Sequence, residues 1–316
     1  MKNSVSGRTS WLISVGAAAL AAALLRRWQL ASAFEPDTGL ATPGAQASVI
    51  LMCLLVMAGS WLILLAMGRA GGPDPARRWD MVFVTRGDPV FPALAVGAAV
   101  LAALAVPVLF VVGVDQFQIY QMAREAGAQP PSNNGMLTLA TAAGALLAAL
   151  GLLQMGRDGL RPGRRGKGGF SAALPGVAGC VWLMESFRAH AANPVQWDYA
   201  PQLIAIVVGM GFYMDFAGMS AGAPRPRRLL WMAGMTVILS APPLVTVLAE
   251  LSARTAAGGS LLAAETGDAL LLLSQLLAAA GVLWRLPPYL ERLDRPGPDR
   301  SGGLEEASIE EETTDE

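Results

Sequence analysis

Asp215 is the clearest candidate for chemistry, because it sits within an apolar run, with Gly211 four residues before it and Gly218 three after. That spacing places all three on one helix face. An ionisable side chain in hydrocarbon is costly and marks a functional position by default. A small-residue face turns it toward a neighbouring helix rather than lipid. Asp215 is, however, about one turn from the end of its run, within reach of a loop arginine, so a structural ion pair or cap is preferred over a transport site. Glu185 and Arg188, at i and i+3, can neutralise each other at the end of another run, and an interfacial salt bridge is the expectation there. His190, the only histidine, follows them and is expected in solvent. Glu250 reads as a boundary charge.

The middle of the apolar runs carries no charge but holds Pro107, Ser240, Pro242, Pro243, Ser274 and Gln275. Proline frees backbone carbonyls, which is tolerable in a membrane only inside a bundle or beside a cavity. Interrupted helices at matching positions of two halves mark binding sites in some transporters. Packing kinks are the commoner use and are preferred here, with a substrate site at Pro107, Pro242 and Gln275 as the alternative.

Other motifs carry less. Gly218-Met219-Ser220-Ala221-Gly222 spells G-x-S-x-G, but the serine elbow needs a preceding strand and a histidine within hydrogen-bond reach. Here a membrane span precedes it, and His190 is expected on the other side of the membrane. One histidine and the two cysteines, Cys53 and Cys180, cannot supply an ordinary zinc site; both cysteines read as small core residues. No phosphate loop, dinucleotide fingerprint or metalloprotease motif occurs, so no cofactor, metal or catalytic residue is expected, and nothing suggests nucleic acid.

The elements that must position these residues are membrane helices. Of 316 residues, 53% are hydrophobic and 15% charged, and the charges cluster between apolar runs long enough, at roughly 20 residues, to cross the hydrocarbon core. The spans read Trp11 to about Leu30, Gln46–Gly68, Phe91–Val114, Met136–Met155, Phe170–Phe187, Tyr199–Met219, Leu229–Leu251 and Asp268–Trp284. With both termini inside, the cytoplasmic segments hold 18 cations and the external ones 5, as the positive-inside bias requires. Trp11, Trp28, Trp197, Trp231 and Trp284 fall near span ends, where amphipathic rings settle. The basic inner loops, such as 161–167, could also attract anionic lipid headgroups. Ala31-Ser32-Ala33 imitates a signal-peptide cut site, but Arg26-Arg27 before it favours an uncleaved helix.

The fold expected is therefore an all-α membrane protein, a bundle of eight transmembrane helices with a disordered acidic tail. The tail, 296–316, is rich in Gly, Pro, Asp and Glu and too poor in apolar residues to fold alone. The halves, 1–156 and 157–295, share features. Pro73 and Pro75 match Pro224 and Pro226, each followed by paired arginines. Glu35-Pro36 parallels Asn193-Pro194, and Pro107 stands as far before Asp115 as Pro242 before Glu250. Two tandem four-helix repeats or coincidence would each account for this, since basic Pro/Gly loops are common between spans.

Two stretches resemble a set of uncharacterised bacterial multi-span membrane proteins with no assigned activity. One runs from Leu25-Arg26-Arg27-Trp28 through Phe34-Glu35-Pro36 to Pro43-Gly44. The other runs from Phe187-Arg188 through Asn193-Pro194-Val195, Tyr199 and Ala217-Gly218 to Arg227-Arg228. Together they cover about a fifth of the chain. The resemblance implies a bacterial cytoplasmic membrane location and no catalytic residues. The leading expectation is a non-enzymatic structural or accessory membrane protein. The alternative is a secondary transporter or permease with a midplane site between the halves, and a cavity reaching Gln275 and the proline kinks would favour it.

Overall fold

A computed structural model of the chain describes residues 2–35, 40–67, 82–83, 89–129, 131, 134–160, 168–190, 199–221 and 223–293. Among them are eight helices: α1 (Lys2–Ser32), α2 (Gln46–Met67), α3 (Val90–Glu125), α4 (Met136–Leu160), α5 (Gly168–His190), α6 (Ala200–Ser220), α7 (Pro226–Ala256) and α8 (Ala264–Leu293). Each is long and apolar enough to cross a membrane. Every expected span is recovered, and several helices run past it: α3 continues from Val114 to Glu125 because its polar residues there are still good helix formers.

The helices form a closed ring of six, in the order α3, α4, α5, α6, α7, α8 and back to α3, with the α1–α2 hairpin packed outside against α7 and α8. The first four helices therefore do not pack as a unit of their own. Helix α6 packs on α7, whereas α2 packs on α1 and α7 and not appreciably on α3, so the two halves lack a shared neighbour pattern. Many of the loop residues that suggested the repeat, among them 72–78, Pro36 and 193–194, lie outside the described residues, as do the 161–167 basic loop and the acidic tail.

Exposed apolar side chains belt the outside, including Leu20, Leu24, Met52, Met57, Leu64 and Leu104, each more than half exposed. A continuous belt of this size is untenable in water and is what lipid contact requires. Inside the ring the seams are lined by small residues: Ala98, Ala102 and Ala105 on α3, and Ala142, Ala145 and Ala149 on α4. Such residues let backbones approach closely. Cys53 and Cys180 are free but exposed, so they lie on the outer faces of their helices and not in the core as expected. Pro107 is exposed as well, which removes it from any internal site.

The end of the bundle that carries the chain termini is called proximal here, and the opposite end distal. The proximal end holds an aromatic cluster. The Phe83 ring, between α2 and α3, lies 5.0 Å from Phe91 of α3 and 4.6 Å from Phe216 of α6. Arg285 Nε donates to the Val82 carbonyl at 2.8 Å and holds this segment against α8.

Candidate functional site: a polar vestibule at the distal end

The distal end of the ring holds a partly enclosed cavity of about 310 Å³, with walls from α5, α6, α7 and α8. Its polar lining comes from Glu185, Ser186 and His190 of α5, Tyr199 and Gln202 at the start of α6, Thr246 and Glu250 of α7, and Glu265 and Asp268 of α8. Chain direction explains the convergence. The C-terminal turns of α5 and α7 and the N-terminal turns of α6 and α8 all finish at this end, so residues far apart in sequence meet there.

Two carboxylates are held from behind. Glu185 is 6% exposed, and its Oε1 lies 3.1 Å from the Thr138 hydroxyl of α4, which is itself 2.9 Å from the Gln116 side chain of α3. The contact on Gln116 is its Oε1, an acceptor, so the single Thr138 hydroxyl proton serves either Gln116 or Glu185. Asp268 Oδ1 accepts from the Trp182 indole at 2.7 Å. The Gln202 side chain is directed at Asp268 as a hydrogen-bonding neighbour, although its Nε2 makes no hydrogen bond within 3.5 Å among the described residues. Neither carboxylate meets an arginine or lysine at ion-pair distance among the described residues. The nearby cations are otherwise engaged. Arg254 Nη2 is 2.7 Å from Glu265 Oε1, and Arg26 donates to Thr246 Oγ1 at 3.0 Å and to Gln29 Oε1 at 2.6 Å.

These positions revise the expected interfacial pair. Glu185 turns inward to Thr138 while Arg188 is exposed. His190 is half-buried on the wall of this partly open cavity: its ring stacks on Tyr199 at 4.5 Å, and Nδ1 is 2.7 Å from the Ser186 carbonyl, a contact that requires the proton on Nδ1.

A second, smaller cavity of about 30 Å³ lies deeper, lined by residues that include Thr141 and Ala145 of α4, Pro175 and Trp182 of α5, Tyr213 of α6 and Gln275 of α8. It has room for about one water. Gln275 is about 16 Å along α8 from its start, near the midplane of a typical span. Its Nε2 donates to the Ala205 carbonyl at 2.8 Å and approaches Ser240 Oγ at 3.4 Å. Neighbouring Ser274 donates to the Ala98 carbonyl at 2.7 Å. Gln275 lies against α6 where Gly209 leaves space; a Cβ on Gly209 would coincide with its amide. Trp182 borders this lower cavity while its indole N–H holds Asp268 in the upper one, so one side chain separates the two.

Asp215 is unconnected to either cavity. It lies near the proximal end, 7% exposed, with Arg228 Nε 2.9 Å from Oδ2. That is the structural ion pair the sequence favours, and the half-exposed Arg228 makes it a modest contributor. Pro242 is buried, and its carbonyl accepts from Thr246 at 3.4 Å; its neighbour Pro243, not Pro242, reaches the vestibule wall. Ser220 closes α6 at the end opposite Tyr199, on which His190 stacks, about 30 Å away, so the G-x-S-x-G segment has no base within reach. Gly222 of that motif lies outside the described residues.

Sequence reading missed Asp268, Gln202, Trp182 and Thr138, and it passed over Pro175. Asp268 stands at a span end, where an acid is ordinary, and its partner Trp182 is 86 residues away. The one local signal was Glu265 and Asp268 at i and i+3, facing one way at the mouth of an apolar helix. No group of three or more His, Cys, Asp or Glu among the described residues could hold a metal ion. Comparison of the chain with family models, curated proteins and solved structures finds no match.

Proposed function

We propose that this polytopic membrane protein is a permease-type solute binder that admits a small polar solute to the distal vestibule, without enzymatic activity. The observation that carries this reading is the 310 Å³ polar cavity at the distal end of a membrane bundle whose proximal end holds the packed Phe83, Phe91 and Phe216 rings. Burying polar groups in a membrane is costly unless they are paired or wet, and a bundle serving only as a scaffold gains nothing by leaving this space open. A cavity closed at one end is what one state of an alternating-access protein requires. The site is displaced from the midplane, since the cavity at Gln275 is too small for a solute. The distribution of cations supports placing both termini in the cytoplasm of a bacterial cell, with the vestibule facing outward.

In proteoliposomes assayed by stopped-flow light scattering, at least one small polar solute should enter faster than into protein-free vesicles. Ala264→Trp, which fills the vestibule from α8, should slow that entry by about tenfold or more, the effect expected of blocking a pocket of this size. If no solute enters faster, a structural or accessory role replaces this proposal.

A further inference from the structure

Resting on the vestibule reading, we infer that the solute is a small hydroxylated amine: a cation of about a dozen heavy atoms that also carries oxygen acceptors.

The charge comes from Glu185 and Asp268. Thr138 holds one oxygen of Glu185 and Trp182 one oxygen of Asp268; Gln202 and His190 also face Asp268, and both carboxyls line the cavity. Carboxylates buried without a cation are unfavourable, and Arg254 and Arg26 are already engaged by Glu265, Thr246 and Gln29. An ammonium group supplies the missing charge and up to three N–H donors.

The hydroxyls follow from two further side chains. Gln202 is 7% exposed and Ser186 2%, both line the vestibule, and among the described residues Gln202 Nε2 and Ser186 Oγ have no hydrogen-bond partner within 3.5 Å. Buried polar atoms of this kind are rare in folded proteins and call for an explanation. The Gln202 nitrogen donates and the neighbouring Asp268 carboxylate accepts, so a solute hydroxyl can bridge the two, and Ser186 can serve a hydroxyl in either direction. A carboxylate on the solute is disfavoured, because Glu185 and Asp268 line the cavity and no arginine or lysine lines it among the described residues. A bare metal ion is disfavoured because no suitable ligand group of three is present among the described residues. Size follows from the volume: 310 Å³ is about ten waters' share of liquid.

Three probes of similar size separate these features: glucosamine carries the cation and hydroxyls, glucose the hydroxyls alone, and gluconate a negative charge. Isothermal titration of the full chain in nanodiscs should show glucosamine binding about tenfold or more tighter than glucose, with gluconate undetected. Glu185→Gln and Asp268→Asn each keep the hydrogen bond from Thr138 or Trp182, and each should weaken glucosamine about tenfold. Asp215→Asn, at the other end of the bundle, should leave it unchanged, and circular dichroism should show all three variants folded. Equal binding of glucose, or indifference to both carboxylate substitutions, would overturn the amine assignment while leaving the vestibule a solute site. Failure of all three probes would also overturn it, and the vestibule would then stand or fall on its access to solvent.

Discussion

Gly209→Val is expected to destabilise the bundle by about 4 kcal/mol, combining an overpacking cost with the loss of buried hydrogen bonds. Any Cβ at this position would overlap the Gln275 amide. Helix α6 cannot retreat easily, because Ile206 and Phe212 on either side of Gly209 are buried in the ring. The Gln275 side chain must then leave the Ala205 carbonyl and Ser240. Equilibrium unfolding in mixed micelles measures the loss. The cause can be isolated with the milder Gly209→Ala. Combined with Gln275→Ala it should cost clearly less than the two single changes summed, since the second removes the atoms that the first strikes. Strict additivity would show that Gly209 does not make room for Gln275.

Arg26→Ala should be nearly as damaging, with a loss of about 3 kcal/mol, the scale for removing one partner from a buried charged network. Arg26 is 1% exposed despite its charge. Its guanidinium bonds Thr246 on α7 and Gln29 on α1, lies 5.8 Å from the Phe34 ring centroid, and connects through Gln29 to Ser48 of α2 at 2.8 Å. Three helices thus meet on one side chain. Arg26→Lys would keep the charge but not the planar fork and should recover only part of the loss. Because α1 and α2 sit outside the ring, the damage should be local: hydrogen exchange should rise in the α1–α2 hairpin and stay unchanged in α3–α6. A uniform rise across the protein would contradict the anchoring role of Arg26.

Much of this architecture is legible in the chain because membranes impose a length scale. A run such as Gln46–Met67 has few alternatives once its residues are apolar over the thickness of hydrocarbon. Length does not fix which face turns inward. Cys53 and Cys180 lie in such runs, yet they face outward, and Pro107 does too. Nor does it fix neighbours. Matching prolines suggested two consecutive four-helix units, whereas α3 closes a ring with α8 and leaves α1 and α2 outside.

The candidate site was half legible. Glu185 and His190 stood out as ionisable residues at a span end, and both line the vestibule. Their neighbours were not legible for a physical reason: a boundary position does not say which helices flank it, and the end of α5 is walled by α6, α7 and α8. Arg26 entered the sequence reading as half of a basic pair that favours an uncleaved first helix, with nothing to show its partner on α7. Asp215 was placed correctly because its partner Arg228 sits in the next helix, only a short loop away. Asp268, Trp182 and Gln202 depend on contacts between helices distant in sequence, and no local pattern announces such contacts.

Solvent access to the vestibule decides the functional reading most directly. In a protein carrying Cys53→Ala and Cys180→Ala, a membrane-impermeant thiol reagent should be applied from the distal face of sealed vesicles. Ala264→Cys, on the vestibule wall, should react readily, whereas Ala145→Cys, beside the lower cavity, should stay unmodified until Trp182→Ala is added. If Ala264→Cys proves as inert as Ala145→Cys, the distal cavity is closed to water and does not admit a solute.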